Sequence, residues 1–115
     1  MLELEWKTMA REPVDLQEEV SKLLADGQRI IHIGTDAQKI DRKVRFATCV
    51  VVVKPGKGGR VFYATQALPK QEVKGLRNKL FKETWFSLKT AMEVDEFVPE
   101  EHKIIIHVDA NTNAK

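Results

Sequence analysis

The chain has 115 residues, enough for one domain, with 19 basic against 17 acidic side chains and a formal net charge of +2. So small an imbalance excludes a protein that holds nucleic acid through a broad basic surface, and any such contact must be local. The single cysteine, Cys49, excludes an intrachain disulfide and points to a reducing, cytoplasmic setting. The longest apolar run, Ala47 to Val53, falls far short of a membrane span, and the acidic start of the chain lacks a secretory pattern.

Residues 1–14 form an N-terminal segment of mixed charge and isolated apolar side chains, expected to be loose or a short edge element, and residues 15–115 form the domain. Asp15 reads as an N-cap, with Glu18 three residues later, Leu16, Val20, Leu23 and Leu24 at helical spacing, and Gly27 as the stop. Residues 29 to 35 then read as a buried strand. Val44 to Lys54 is a second, β-branched strand, Pro55–Gly59 a turn, and Arg60 to Gln66 a third strand of mixed polarity. The last two make an antiparallel hairpin whose more polar member is expected at the sheet edge. From Gln71 to about Val94 the period becomes helical, with Val73, Leu76, Leu80, Leu88 and Ala91 on one side and Phe81, Trp85 and Met92 widening the packed stripe. Pro99 closes the following loop and His102 to Val108 is the last strand. The order is helix, strand, strand, strand, helix, strand, a mixed α/β class in which the long helix is the crossover to a parallel strand.

Two of these strands read almost alike. Ile30-Ile31-His32-Ile33-Gly34-Thr35-Asp36 and Ile104-Ile105-Ile106-His107-Val108-Asp109 are apolar runs that each end on an aspartate. Residues two apart in a strand share a face, so His32 goes with Asp36 and His107 with Asp109. Placed side by side and parallel, both central in the sheet, the two strands bring two carboxylates together, which calls for a divalent cation between them. Thr35 and Gln38 flank Asp36 and are candidates to steer a ligand or to complete a turn. Lys54, Lys57 and Arg60 at the hairpin tip are weaker candidates for nucleic-acid phosphates.

Strand topology and wording together carry a resemblance. Ile33-Gly34-Thr35-Asp36-Ala37-Gln38, Gly56 to Tyr63, Leu76 to Thr84 with Ser87-Leu88, and Ile106 to Asp109 are similar to the corresponding motifs of the YkuK family, uncharacterised bacterial proteins related to ribonuclease H. The resemblance implies the ribonuclease H-like fold and a metal-dependent nuclease activity. It also brings in Glu83, where the family's helix acid falls and which lies at the border of the apolar stripe, with Glu72 as the fallback. The implied set is Asp36, Glu83 and Asp109 holding Mg²⁺ or Mn²⁺ for phosphodiester hydrolysis, with nucleic acid as partner. Proteins similar to this one continue past the last strand, so the domain is expected to be C-terminally incomplete. An uncovered sheet face and self-association are expected with it.

Two other classes compete. One is a non-catalytic ribonuclease H-like module that binds nucleic acid or protein. The other is an actin-like ATPase, which ranks last because the order here is Gly34-Thr35-Asp36 and one nucleotide-binding half alone is present.

Overall fold

The computed structural model describes residues 4–108. The elements in chain order are β1 (Trp6–Thr8), β2 (Pro13–Val14), α1 (Leu16–Leu24), β3 (Ile30–Ile40), β4 (Lys43–Lys54), β5 (Gly58–Pro69), a 3₁₀ turn (Lys70–Glu72), α2 (Gly75–Asp95) and β6 (Lys103–His107). Helix α1 starts as its sequence dictates, with the Asp15 side chain accepting the Glu18 N–H at 3.1 Å. The six strands form one mixed sheet in the order β2-β1-β5-β4-β3-β6. The expected neighbours are paired: β6 lies beside β3 and parallel to it, from Ile30 opposite Lys103 to Gly34 opposite His107.

Strand alternation divides the sheet into two faces. On one, Ile31 and Ile33 of β3, Val50 and Val52 of β4, and Phe62 and Ala64 of β5 are buried against Val20 and Leu24 of α1 and Ala91 and Val94 of α2. Each buried Val, Leu, Ile or Phe side chain there contributes about 1.5–3 kcal/mol by leaving water, and the alanines less. A second cluster of Val44, Phe46 and Val73 continues this layer toward the 3₁₀ turn. Both helices cover this face. The opposite face carries Ile30, His32, Gly34, Asp36 and Gln38 of β3, Cys49 and Val51 of β4, and Ile105 and His107 of β6, with no helix over it among the described residues.

Four expectations are corrected. Strand β3 does not end at residue 35 but runs to Ile40 and joins β4 through a two-residue turn, with Asp41 at φ 53°. Aspartate and asparagine tolerate that left-handed conformation better than most side chains, which is why so short a loop closes here. The polar strand β5 is not an edge, because β1 pairs with it and buries Trp6 in the core. The strand expected to be central, β6, is the edge strand on the other side among the described residues. Finally, the helix begins at Gly75, and its packed face is Glu83, Ser87, Thr90, Ala91 and Val94, leaving Phe81, Trp85, Leu88 and Met92 exposed. The added strands β1 and β2 precede α1, so the observed order has two more strands than the sequence pattern indicates.

Candidate functional site

Gly34 sits at the middle of the uncovered face. Along β3 it is flanked on that face by His32 and Asp36, and across the sheet it lies opposite Cys49 on β4 and His107 on β6. A residue without a side chain thus leaves a depression of about 610 Å³ whose lining includes His32, Asp36, Cys49 and His107. A larger hollow of about 900 Å³, between the starts of β1 and α1 and the end of α2, holds carboxylates but no histidine or cysteine.

The two histidines meet: His32 Nδ1 and His107 Nε2 are 2.8 Å apart. One ring nitrogen must donate and the other accept, so at least one imidazole is neutral. The expectation of a shared face for His32 and Asp36 holds, with His32 partly buried and His107 exposed. Burial pushes the Cys49 thiol up from its ordinary range, and the negative charge of Asp36 adds to that shift. The cysteine is thus a half-buried neighbour of the aspartate on the open face. Asp36 itself is exposed and forms no ion pair among the described residues.

Glu83 approaches from the helix-covered side. Its Oε2 accepts the backbone N–H of Ala37 at 2.9 Å, and the residue is only 6% exposed. The position follows from strand pairing. Among the described residues the parallel ladder with β6 ends at the Gly34–His107 pair, and beyond it the N–H of Ala37 donates to a carboxylate. Four residues along α2, Ser87 Oγ lies 2.7 Å from Thr35 Oγ1, which in turn is 3.1 Å from Thr48 Oγ1. Glu83, Ser87, Thr35 and Thr48 together form a polar seam between α2 and the sheet immediately behind Asp36. Thr35, expected as a flank of Asp36, lies in this seam; the sequence pattern did not indicate its contacts with Ser87 and Thr48.

The remaining candidates are dispersed. Gln38 lies two residues from Asp36 on the same face, and its Oε1 accepts from Arg45 Nη2 at 3.3 Å, which puts a cation near the aspartate. Glu72 is exposed in the 3₁₀ turn, where its backbone carbonyl accepts from Asn78. Lys54 pairs with Asp26 at 3.7 Å, Arg60 lies over the Phe62 ring, and Lys57 occupies the turn. That hairpin tip is level with Ile30, about 20 Å along the sheet from Asp36 at ~3.4 Å per residue, so these three do not join the depression. Asp109 lies outside the described residues. Among the described residues no three His, Cys, Asp or Glu side chains converge to hold a metal ion. Nor is any helix there long and apolar enough to cross a membrane.

No curated protein matches the chain, and no solved structure does. A comparison with protein families matches residues 15–115 to the family described as Ribonuclease H-like. The mixed α/β fold, with its parallel β3–β6 pair and its crossover helix, agrees with that match. The chain belongs to the ribonuclease H-like family.

Proposed function

We propose that the protein is a metal-dependent nuclease that hydrolyses phosphodiester bonds, with Asp36, Glu83 and Asp109 as the acidic set, and that within its family it belongs with the bacterial YkuK group. The observation that supports this reading is the exposed Asp36 on the open face, with His32 and His107 on the same face and Glu83 bound to the N–H of the next residue, Ala37. Asp109 is two residues beyond His107 in the chain, as Asp36 is two beyond Gly34, the partner of His107.

Of this set Asp36 suits a divalent ion, whereas Glu83 meets β3 from its other face and holds the backbone there. Carboxylate oxygens are the hard ligands that Mg²⁺ and Mn²⁺ take, and among the described residues Asp36 carries no ion pair that would have to break. When bound, such an ion polarises a phosphate oxygen and makes a water acidic enough to attack. The chain does the rest. Asp36 orients the ligand from the open face, Glu83 fixes the β3 backbone through Ala37, and the His32–His107 pair provides the nitrogen that accepts a proton from the attacking water. Arg45, held by Gln38, offers a cation for a phosphate oxygen. The nucleic-acid backbone lies along the uncovered face, where the depression is open to a polymer.

Hydrolysis of labelled single- and double-stranded RNA and DNA, with Mg²⁺ or Mn²⁺ added, tests this directly. Cleavage should appear with metal and fall about 100-fold or more in Asp36→Asn. Cleavage that is absent throughout, or unchanged in that variant, overturns the reading.

A further inference from the structure

Helix α2 is apolar on the wrong side for a helix that packs once. Its buried residues Glu83, Ser87, Thr90, Ala91 and Val94 face the sheet. Phe81, Trp85, Leu88 and Met92 are 66%, 51%, 44% and 63% exposed. At ~100° per residue these four fall within about 60° of one another, on the side of the helix away from the buried face, roughly 145° from its centre. Their spacing of four, three and four residues is that of a helix–helix seam, and solvent-facing apolar side chains that form one continuous stripe mark an interaction surface.

Charge selects the occupant. The first half of α2 and its cap carry Lys74, Arg77, Lys79 and Lys82, and the last turn and cap carry Glu93, Asp95 and Glu96. Each end thus has the sign that its own helix dipole disfavours, since cations sit at the N-terminus and anions at the C-terminus. An antiparallel neighbour with the same sequence relieves both ends at once, whereas a parallel one would set like charges together. The seam is also self-complementary about a point between Trp85 and Leu88. With those two residues level across a two-fold axis, Phe81 meets Met92 of the second copy, and Arg77 and Asn78 come level with its Asp95 and Glu96. Lys82 and Lys89 flank the seam on one side, where their stems can lie along it with the charges in water.

We infer that two copies of this chain form a dimer through antiparallel α2 helices, with Phe81, Trp85, Leu88 and Met92 as the contact. The interface lies on the helical side of the sheet. It leaves the Asp36 face of both copies open, so the inference is independent of the proposed activity.

Sedimentation equilibrium of the full chain tests it. At concentrations on the order of 100 µM the mass should approach twice that of the monomer, and Phe81→Asp with Trp85→Asp should weaken self-association at least about tenfold. Both side chains are exposed, so the variant keeps its circular dichroism spectrum. The charge pattern supplies a second arm. Arg77→Glu alone should weaken the dimer, and adding Asp95→Arg and Glu96→Arg should restore it. Trp85 emission should shift to shorter wavelength as concentration rises, while Trp6, already buried, contributes no change. A chain that stays monomeric at that concentration overturns the inference, as does a dimer insensitive to the stripe and charge variants or a stripe filled by a different protein.

Discussion

At the scale of single residues, the coupling of Cys49 to Asp36 makes the only thiol in the chain a reporter of the candidate site. Burial raises its pKa first and the aspartate charge second. The folded state therefore keeps the proton to higher pH than the unfolded chain does, a stabilisation present below the thiol's ordinary range and lost as pH rises through the folded value. Asp36→Asn removes the charge and leaves the burial, so at mildly alkaline pH the reaction of Cys49 with a disulfide reagent should become several-fold faster. An unchanged rate would mean that the two side chains do not sense each other. The third histidine has a different task. His102 is buried, and its Nδ1 accepts the backbone N–H of Arg29 at 3.1 Å, tying the start of β6 to the start of β3. His102→Ala leaves that buried donor without its acceptor and should cost about 1–3 kcal/mol in a denaturant titration. A variant as stable as the parent would show that this bond does not hold the edge strand.

At the scale of elements, the β4–β5 hairpin depends on a close backbone approach that its glycines permit. A Cβ on Gly59 would lie 2.8 Å from the Val52 carbonyl oxygen, so Gly59→Ala should destabilise the fold by about 1–3 kcal/mol, again read from denaturant unfolding. The hairpin was legible because β-branched residues and a glycine-rich turn announce it locally. Likewise α1 was legible from its cap and its spacing. The packed face of α2 was not. Periodicity sums apolar character, and the strongest stripe on α2 points to solvent, while the buried face contains Glu83, Ser87 and Thr90. Those side chains are admitted to the interior by the Ala37 N–H, Thr35 and their surroundings, and such partners belong to distant segments that no local pattern displays. The extension of β3 to Ile40 escaped notice for a related reason: Asp36, Gln38 and Lys39 look like loop residues until β4 supplies their ladder. For the site, the aspartate and the two histidines on one face followed from strand alternation alone. The thiol beside them and the hydroxyls behind them did not.

At the scale of the whole molecule, one sheet carries both of its helices on one side and its acid, histidine and thiol side chains on the other. That division is what a polymer substrate needs, because a backbone can lie across an open face but not between a sheet and its covering helices. The parallel β3–β6 pair supplies the direction: both strands run toward the Asp36 end, and Glu83 holds the β3 backbone at Ala37, beyond the last pair among the described residues. The central claim is that this end of the sheet binds a divalent cation through Asp36. Titration of the folded, isotope-labelled chain with Mn²⁺, followed by NMR, tests it most directly. Paramagnetic broadening should concentrate on the amides of residues 35 to 37, Glu83 and residues 107 to 108 at concentrations up to about 1 mM, and Asp36→Asn should abolish it while the rest of the spectrum is preserved. Broadening that spares these residues, or that persists in full without the Asp36 carboxylate, would contradict the claim.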